Sequence, residues 1–158
     1  MPGAARRPVA WGKPRVVVPD EHHEQKLLVR TLDRLYPGIA AYVAAVPNGG
    51  GRSKATAGIL KAEGVRKGYP DLVIDCPRGP FHGLRVEMKR QKKSLSTVAP
   101  EQREWGQRLN DQGVLAVLAR GCQHALDQIL YYWSLGEFDP GCVVQMSRFE
   151  RLEAKGDA

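Results

Sequence analysis

The segment VLAVLA at 114–119 is one of the longest apolar runs in the chain. A run of this length is typical of a buried strand, because strands span ~4–8 residues and helices need ~10–12 or more. It is far shorter than the ~20 apolar residues that cross a bilayer, so we expect no membrane-spanning segment. A strand with no polar face predicts a central position in a sheet that is covered on both sides.

Amphipathic helical patterns lie before and after this strand. Asp20 is a suitable N-cap for a first helix, which the sequence YPG at 36–38 ends. Pro100 favours the start of a second helix over 101–112, and a third helix is predicted over 122–135. The residues predicted to face the core are Glu21, Glu24, Gln25, Leu28, Leu32 and Leu35 in the first helix, Gln102, Trp105 and Leu109 in the second, and Ala125, Leu126, Ile129 and Trp133 in the third. The first stripe therefore reaches acidic residues at one edge of the core.

The remaining patterns complete an alternation of helices and strands. Strands are predicted over 41–46, 71–76 and 84–90, and a short helix over 53–63. This order predicts an α/β fold with a mixed central sheet flanked by helices on both faces. We expect a flexible basic arm over 1–19, one folded domain over 20–136 and a weakly structured tail over 137–158.

Length and composition fit a single globular domain. The chain has 158 residues, of which 42% are hydrophobic and 26% charged. Three cysteines without CxxC spacing argue against a disulfide framework and against a structural zinc site. The first 20 residues lack the apolar stretch of a secretory signal. We therefore expect a cytoplasmic protein, in a bacterium or a phage-infected host, with no membrane partner.

The charge of the chain is strongly positive. Lysine and arginine number 24 against 17 acidic residues, which gives a net charge of +7. Residues 137–158 hold five acidic and three basic residues, so the excess lies in the rest of the chain. A basic domain of this size favours a polyanionic partner, with nucleic acid first. Charge alone leaves open an ordinary basic protein.

Two carboxylates and one lysine are predicted to share one face of a hairpin. Glu87 and Lys89 are two residues apart in a strand, so their side chains point to the same face. The turn 77–83 joins the two strands closely enough for antiparallel pairing. Pairing about this turn places Asp71 opposite Lys89 and within reach of Glu87. A slip of one or two residues would keep the three in one cluster.

This cluster suits phosphodiester hydrolysis. Two carboxylates can bind a hard divalent cation such as Mg²⁺ through oxygen. The cation polarises a phosphate oxygen and lowers the pKa of a bound water, and a lysine can orient that water or stabilise developing charge. The alternative is a charge cluster on an exposed sheet face, because an isolated Asp…Glu-x-Lys pattern is short and degenerate.

The surrounding sequence resembles the VRR-NUC domain, a family within the PD-(D/E)XK nuclease superfamily. The resemblance covers roughly residues 20–135, and the joint spacing of its segments is more specific than any one of them. The matching segments are PNGGGR at 47–52, AGILKAEGVRKGYPDLVI at 57–74, LRVEMKRQKKSLS at 84–96 and EQREWGQRLNDQGVLAVLA at 101–119. Two features depart from the family pattern: Tyr69 replaces a smaller residue in Gly-x-Pro-Asp, and the loop 94–102 is longer than usual.

The resemblance implies a restriction-endonuclease-like core and assigns roles to several residues. It implies Asp71 and Glu87 as ligands of Mg²⁺ or Mn²⁺, the main-chain carbonyl of Met88 as a further ligand, and Lys89 as the catalytic lysine. Gln102 would help to hold the scissile phosphate or the lysine. Glu21 would support the metal, although Glu24 lies on the same stripe and the choice between them rests on the resemblance alone.

Basic residues lie on both sides of the hairpin in the sequence. They occur in the segments 52–67 and 85–93, each of which holds a single acidic residue. Contacts of such residues with phosphates give salt-dependent affinity that is largely independent of sequence. The candidate DNA-binding residues are Arg52, Lys54, Arg66, Lys67, Arg90, Lys92 and Lys93. The alternative is two solvated basic faces.

Taken together, the sequence predicts a metal-dependent DNA endonuclease without a small-molecule substrate. Small VRR-NUC proteins pair as homodimers and cut branched DNA such as four-way junctions, so the resemblance implies both properties here. Three alternatives stay open: a restriction-type nuclease that cuts duplex DNA, a non-catalytic nucleic-acid-binding module, and a basic adaptor of phage assembly.

Overall fold

The fold was analysed in a computed structural model that describes residues 17–47 and 53–154. These residues form five α-helices and four strands. The helices are α1 (Glu21–Leu35), α2 (Pro37–Ala40), α3 (Lys54–Ala62), α4 (Pro100–Asp111) and α5 (Gly121–Ser134), and the strands are β1 (Val43–Ala45), β2 (Leu72–Ile74), β3 (Gly83–Lys89) and β4 (Val114–Arg120). Two short 3-10 turns span Lys93–Leu95 and Met146–Arg148.

The four strands form one mixed sheet in the order β1-β2-β3-β4. The first three strands are antiparallel neighbours, and β3 runs parallel to β4. A parallel pair needs a crossover connection, which α4 supplies. The predicted α/β fold with a mixed sheet and the antiparallel hairpin of β2 and β3 are both confirmed.

The register of the hairpin differs from the predicted one by two residues. Leu72 pairs with Val86 and Ile74 with Leu84, so Asp71, one residue before β2, falls opposite Glu87 rather than opposite Lys89. The reason lies in the connection, which closes on itself through a separate bridge between Arg78 and Phe81 instead of extending the ladder. Both registers keep Asp71 on the same face.

The two faces of the sheet carry different layers. Leu115 and Val117 of β4 join the main core, which packs beneath α1 and α5. Ala116 and Leu118 point to the opposite face, where they pack with Leu109 of α4. Because side chains alternate along a strand, Glu87, which pairs with Leu118, also lies on the α4 face. The sheet therefore presents its polar site residues toward α4.

Strand β4 is buried as predicted, but its predicted central position is wrong. Among the described strands it ends the sheet order and has β3 as its sheet neighbour. The C-terminal segment covers its outer edge, where Leu118 N donates to Glu150 O at 2.7 Å and Leu152 N donates to Ala116 O at 2.8 Å. Leu152 is 1% exposed. This segment buries β4 and replaces the expected second neighbouring strand.

Helix α1 begins and ends where the sequence predicts. The Asp20 carboxylate accepts a hydrogen bond from His23 N at 2.7 Å, which caps the first turn. Leu28 and Leu32 are buried, but Leu35 is 62% exposed, so the predicted stripe is wrong at its last position. The chain turns into α2 directly after Leu35, and Ile39 of α2 is buried in its place.

Helices α4 and α5 present most of their predicted inward residues to the sheet. Ala125, Leu126 and Ile129 of α5 are buried, while Trp133 is half-buried and the neighbouring Tyr132 takes the core position. All three cysteines are free thiols, in agreement with the absence of a disulfide framework. No described helix has the length and hydrophobicity that a membrane crossing requires.

Candidate active site

Asp71 is positioned by the end of the β2–β3 ladder. Its Oδ2 accepts a hydrogen bond from Met88 N at 2.8 Å, on the side of β3 where the ladder with β2 has already ended at Leu72 and Val86. Burial raises the pKa of the Asp71 carboxyl above its usual value, although the Met88 hydrogen bond opposes the shift. The carboxylate is therefore oriented by β3 and held in a partly desolvated place.

Glu87 is a buried carboxylate with one unsatisfied oxygen. Its Oε1 accepts from Lys89 Nζ at 3.0 Å and from the side-chain amide of Gln102. Its Oε2 is buried and has no hydrogen-bond partner. Burial and the neighbouring Asp71 carboxylate raise the pKa of Glu87 to about 8, against the opposing charge of Lys89. An orphaned buried oxygen is costly unless a proton or a cation satisfies it.

Lys89 ends β3 and is almost fully buried, with 5% of its surface exposed. Its ammonium lies 3.0 Å from Glu87 Oε1 and 4.0 Å from Glu21 Oε1. A lysine of this burial requires charged partners, because an unpaired ammonium would lose its hydration without compensation. Lys89 and Glu87 of β3 are thus brought together with Glu21 in the first turn of α1.

Gln102 is fixed by both ends of its amide. Its Oε1 accepts from Ala99 N at 2.8 Å and caps α4, so the amide nitrogen is directed at Glu87. The loop before α4 is long, yet Gln102 reaches the site that the sequence predicts for it. Gly68 of the GYPD segment allows α4 to lie close to this segment. It has φ +82°, and a Cβ there would lie 2.7 Å from the main chain of Glu101. Only glycine lets the two backbones approach so closely.

The two acidic residues of α1 have different surroundings. Glu24 is 2% exposed, and its two oxygens accept from Gln91 Nε2 at 2.6 Å and from Cys122 N at 2.7 Å. Glu21 is half-buried, contacts Ser96 Oγ and faces Lys89. Glu24 therefore ties α1 to the first turn of α5, whereas Glu21 faces the cluster.

The oxygen atoms at this site fit a hard divalent cation. Within the described ranges, no three His, Cys, Asp or Glu side chains form a metal-binding group. Asp71 and Glu87 nevertheless converge, and Glu87 Oε2 lacks a partner. Because the N–H and C=O of one strand residue point to the same side, the Met88 carbonyl also faces the Asp71 side of β3. Two carboxylates and a carbonyl are the donor types that Mg²⁺ accepts.

Comparison with known proteins shows the family to which the chain belongs. The sequence model of the VRR-NUC domain matches residues 15–123. The chain belongs to the VRR-NUC family of nuclease domains. A solved structure described as a VRR_NUC domain protein is similar to it, with 30% sequence identity and a TM-score of 0.69 over 82% of this chain and 100% of that one. No curated protein matches the sequence.

The predicted DNA-binding residues of this VRR-NUC domain lie in different surroundings. Arg66, Lys67, Lys92 and Lys93 are exposed, and Lys67 forms an ion pair with Glu101 of α4 at 2.5 Å. Arg52 and the side chain of Lys54 lie outside the described residues. Lys92 and Lys93 follow shortly after Lys89, the last residue of β3.

Arg90 occupies a different environment from the neighbouring lysines. Its guanidinium donates to Val18 O at 2.8 Å and to Pro19 O at 3.2 Å. It is half-buried beneath the segment that leads into α1. Arg90 therefore holds this segment against the end of β3, a contact that sequence spacing does not reveal.

Sequence reasoning missed several residues that support the VRR-NUC site. Tyr69 packs edge-on against Trp105 of α4, with ring centroids 5.1 Å apart, and its hydroxyl accepts from Arg85 Nε at 2.9 Å. Tyr69 is the residue that departs from the family pattern, so a larger side chain here fills the space between the hairpin and α4. The pairing of Gln91 with Glu24 had one sequence signal, the acidic position on the inward stripe of α1.

Proposed function

We propose that this VRR-NUC domain is a metal-dependent DNA endonuclease that hydrolyses phosphodiester bonds. The observation that supports this most directly is the environment of Glu87. Its carboxylate is buried beside Asp71 and Lys89, and one of its oxygens has no partner. A buried carboxylate oxygen without a hydrogen bond destabilises the fold, so its presence indicates a functional role. Carboxylates with a shifted pKa and a charged partner are typical of catalytic sites.

Asp71 and Glu87 are the proposed ligands of Mg²⁺ or Mn²⁺, with the Met88 carbonyl as a third donor. Glu21 would support the cation directly or through water, because both carboxylate oxygens of Glu24 already accept hydrogen bonds from Gln91 and Cys122. When bound, the cation would supply Lewis-acid polarisation of a phosphate oxygen and a water of lowered pKa.

Lys89 is the proposed catalytic lysine. Its ammonium is held by Glu87 and faces Glu21, so its remaining N–H donors can orient a water or stabilise charge that develops on the phosphate. Gln102 would act through Glu87, because it holds Oε1 from the α4 side while Oε2 has no hydrogen-bond partner and could bind the cation. In this scheme Gln102 is a positioning residue.

The proposed substrate is branched DNA, such as a four-way junction, cut by a homodimer. The net charge of +7 and the exposed Lys92 and Lys93 support a DNA substrate. One candidate site is present in each chain, so two cuts in a symmetric junction call for two copies. A monomer in light scattering, both free and on DNA, would remove the dimer from this proposal.

Cleavage of a labelled substrate panel tests the proposal. The panel contains single strand, duplex, flap, splayed arm and four-way junction, each with Mg²⁺, with Mn²⁺ or with EDTA. We expect metal-dependent cleavage that Lys89→Ala reduces by ~10²-fold or more, as for the loss of one group that stabilises the transition state. Lys26→Ala removes the same charge from an exposed position of α1 and should keep most of the rate.

The pattern of cleavage separates the remaining functions. Preference for duplex would support the restriction-type alternative. Tight, salt-sensitive binding without cleavage of any substrate would support a binding module. Cleavage by Lys89→Ala at the wild-type rate would show that the site is wrongly assigned.

A further inference from the structure

A polar cavity adjoins the candidate active site. It has a volume of about 510 Å³ and lies among the loop after β3, the first turn of α4 and the end of β4. Three cationic side chains and two hydroxyl groups line it: Lys93, Arg103, Arg120, Ser96 and Thr97. Pro100 at the N-terminal end of α4 completes the wall, so the positive end of the helix dipole faces the same space.

Arg120 is the least satisfied side chain of this cavity. Its Nε and Nη1 are buried and have no hydrogen-bond partner, and the whole side chain is 15% exposed. Glu150 forms an ion pair with Arg120 in which Oε1 lies 3.6 Å from Nε, beyond hydrogen-bond distance. Arg120 therefore has N–H donors without hydrogen-bond partners in the wall of a cavity that two further cationic side chains line, and phosphate can accept several N–H groups of one arginine.

The position of Arg120 relates the cavity to the proposed chemistry. In the parallel ladder Arg120 pairs with Lys89, so both side chains leave the sheet on the α4 face from neighbouring strands. Neighbouring strands lie ~4.8 Å apart, so the two cationic side chains start from adjacent positions on one face of the sheet. A DNA strand whose scissile phosphate lies at Lys89 would therefore bring an adjacent phosphate of its backbone close to Arg120.

We infer that the cavity lined by Arg103 and Arg120 binds the DNA phosphate that neighbours the scissile one on the same strand. This inference rests on the proposed nuclease function and names a contact that sets the register of the strand in the site. Arg103 donates one N–H to Glu153 O at 3.2 Å, which fixes its guanidinium at the rim of the cavity. Phosphate contacts of this kind position a strand without reading its sequence.

Binding without divalent metal tests the cavity independently of cleavage. The affinity for a fluorescein-labelled four-way junction and for its duplex arm is measured against NaCl concentration in EDTA. We expect Arg120→Gln and Arg103→Gln each to weaken binding and to lower the salt slope by about one, because each phosphate contact contributes ~0.9 to that slope. Arg108→Gln removes the same charge from the exposed side of α4 and should keep the wild-type slope.

Cleavage of substrates with one neutral linkage tests which phosphate is bound. A methylphosphonate is placed in turn at each position that flanks the mapped cut. We expect one neighbouring position to slow the wild-type protein and Arg108→Gln by ~10-fold or more, and to have no further effect on Arg120→Gln. Melting curves show whether each variant is folded. If Arg120→Gln does not fold, Arg103→Gln replaces it in this experiment.

Two results would overturn the inference. One is a wild-type salt slope in folded Arg103→Gln and folded Arg120→Gln. If inorganic phosphate nevertheless raised the melting temperature of the wild type, the cavity would bind a free anion and not DNA. The other is full sensitivity of Arg120→Gln to every neutral linkage. A wild type that binds DNA but cuts no substrate would refute the proposed function, and the salt slopes would still decide the cavity.

Discussion

Asp71 and Met88 are joined across the end of the hairpin by a hydrogen bond of 2.8 Å from the main-chain N–H to Oδ2. One contact thus orients a carboxylate and directs the carbonyl of the same strand residue toward it. The two proposed cation ligands are held by local strand geometry rather than by a long loop. This arrangement separates the structural role of Asp71 from its proposed role as a ligand.

Asp71→Asn and Asp71→Ala should therefore differ in stability but not in activity. The amide oxygen of asparagine can still accept from Met88 N, so Asp71→Asn should fold normally and lose cleavage. Alanine also removes the hydrogen bond and should cost ~0.5–1.5 kcal/mol in the free energy of unfolding. Denaturant titration in EDTA measures the difference between the two variants.

The same pair of variants tests the cation site without a substrate. Mg²⁺ that binds only the folded wild type should raise its melting temperature, because ligand binding to the native state stabilises it by mass action. Neither Asp71 variant should show this rise. An equal rise in Asp71→Asn would place the cation elsewhere.

Glu87 should make the metal-free protein less stable as the pH rises. Its folded pKa of about 8 lies above the value of 4.5 for an exposed glutamate. Between these values the native state retains a proton that the unfolded chain has lost, so the free energy of unfolding falls with increasing pH. Glu87→Gln lacks this loss and should gain on the order of 1–3 kcal/mol over the wild type between pH 5 and pH 8.

Thermal melting in EDTA at several pH values measures that gain. Glu104→Gln, at an exposed position of α4, removes an acid outside the site and should not change the pH dependence. A difference between Glu87→Gln and the wild type that stays constant from pH 5 to pH 8 would contradict a raised pKa.

Gln102→Ala should reduce cleavage without removing any proposed metal ligand. The amide restrains Glu87 Oε1 from α4, and loss of a residue that orients a ligand costs ~10–100-fold in metal affinity or activity. The Mg²⁺ concentration needed for half-maximal cleavage should be higher for Gln102→Ala than for the wild type. Gln107→Ala, which removes an amide bonded to Asp111 on the same helix, is the matched control and should behave as wild type.

Gly106→Ala should destabilise the fold even though alanine favours helices. A Cβ at Gly106 would lie 2.1 Å from Leu152 O, a main-chain atom that cannot move independently of the C-terminal segment. Overpacking of this kind costs ~1–3 kcal/mol. At Gly58 of α3 nothing lies within 4 Å, so Gly58→Ala should instead stabilise by ~0.5–1 kcal/mol. Chemical denaturation measures the change in the free energy of unfolding, which should be a decrease for Gly106→Ala and an increase for Gly58→Ala.

Much of the fold follows from local sequence patterns. The cap at Asp20, the hairpin and the buried run of β4 are set by neighbouring residues, so their signals are visible in the sequence. The hairpin register was missed because the 78–81 turn closes with its own bridge. The edge position of β4 was missed because its cover comes from Leu152, far along the chain.

Some features of the candidate site also follow from local sequence patterns, whereas others depend on long-range contacts. Glu87 and Lys89 share a face by strand alternation alone, and the inward position of Gln102 follows from helical spacing. The distinct surroundings of Glu21 and Glu24 depend on the rotation of α1 against Gln91 and Cys122, which no local pattern encodes. Long-range partners therefore set the parts of the site that the sequence left open.

The cover of β4 by residues 150–152 lies outside the segment that matches the VRR-NUC family, which ends at residue 123. Removal of that cover would expose the main-chain N–H and C=O groups along a long apolar strand. Such an open edge readily pairs with the same edge of another molecule. A chain shortened after residue 136 should thus self-associate into strand-paired aggregates, because it would lack the main-chain hydrogen bonds that residues 150–152 make with β4.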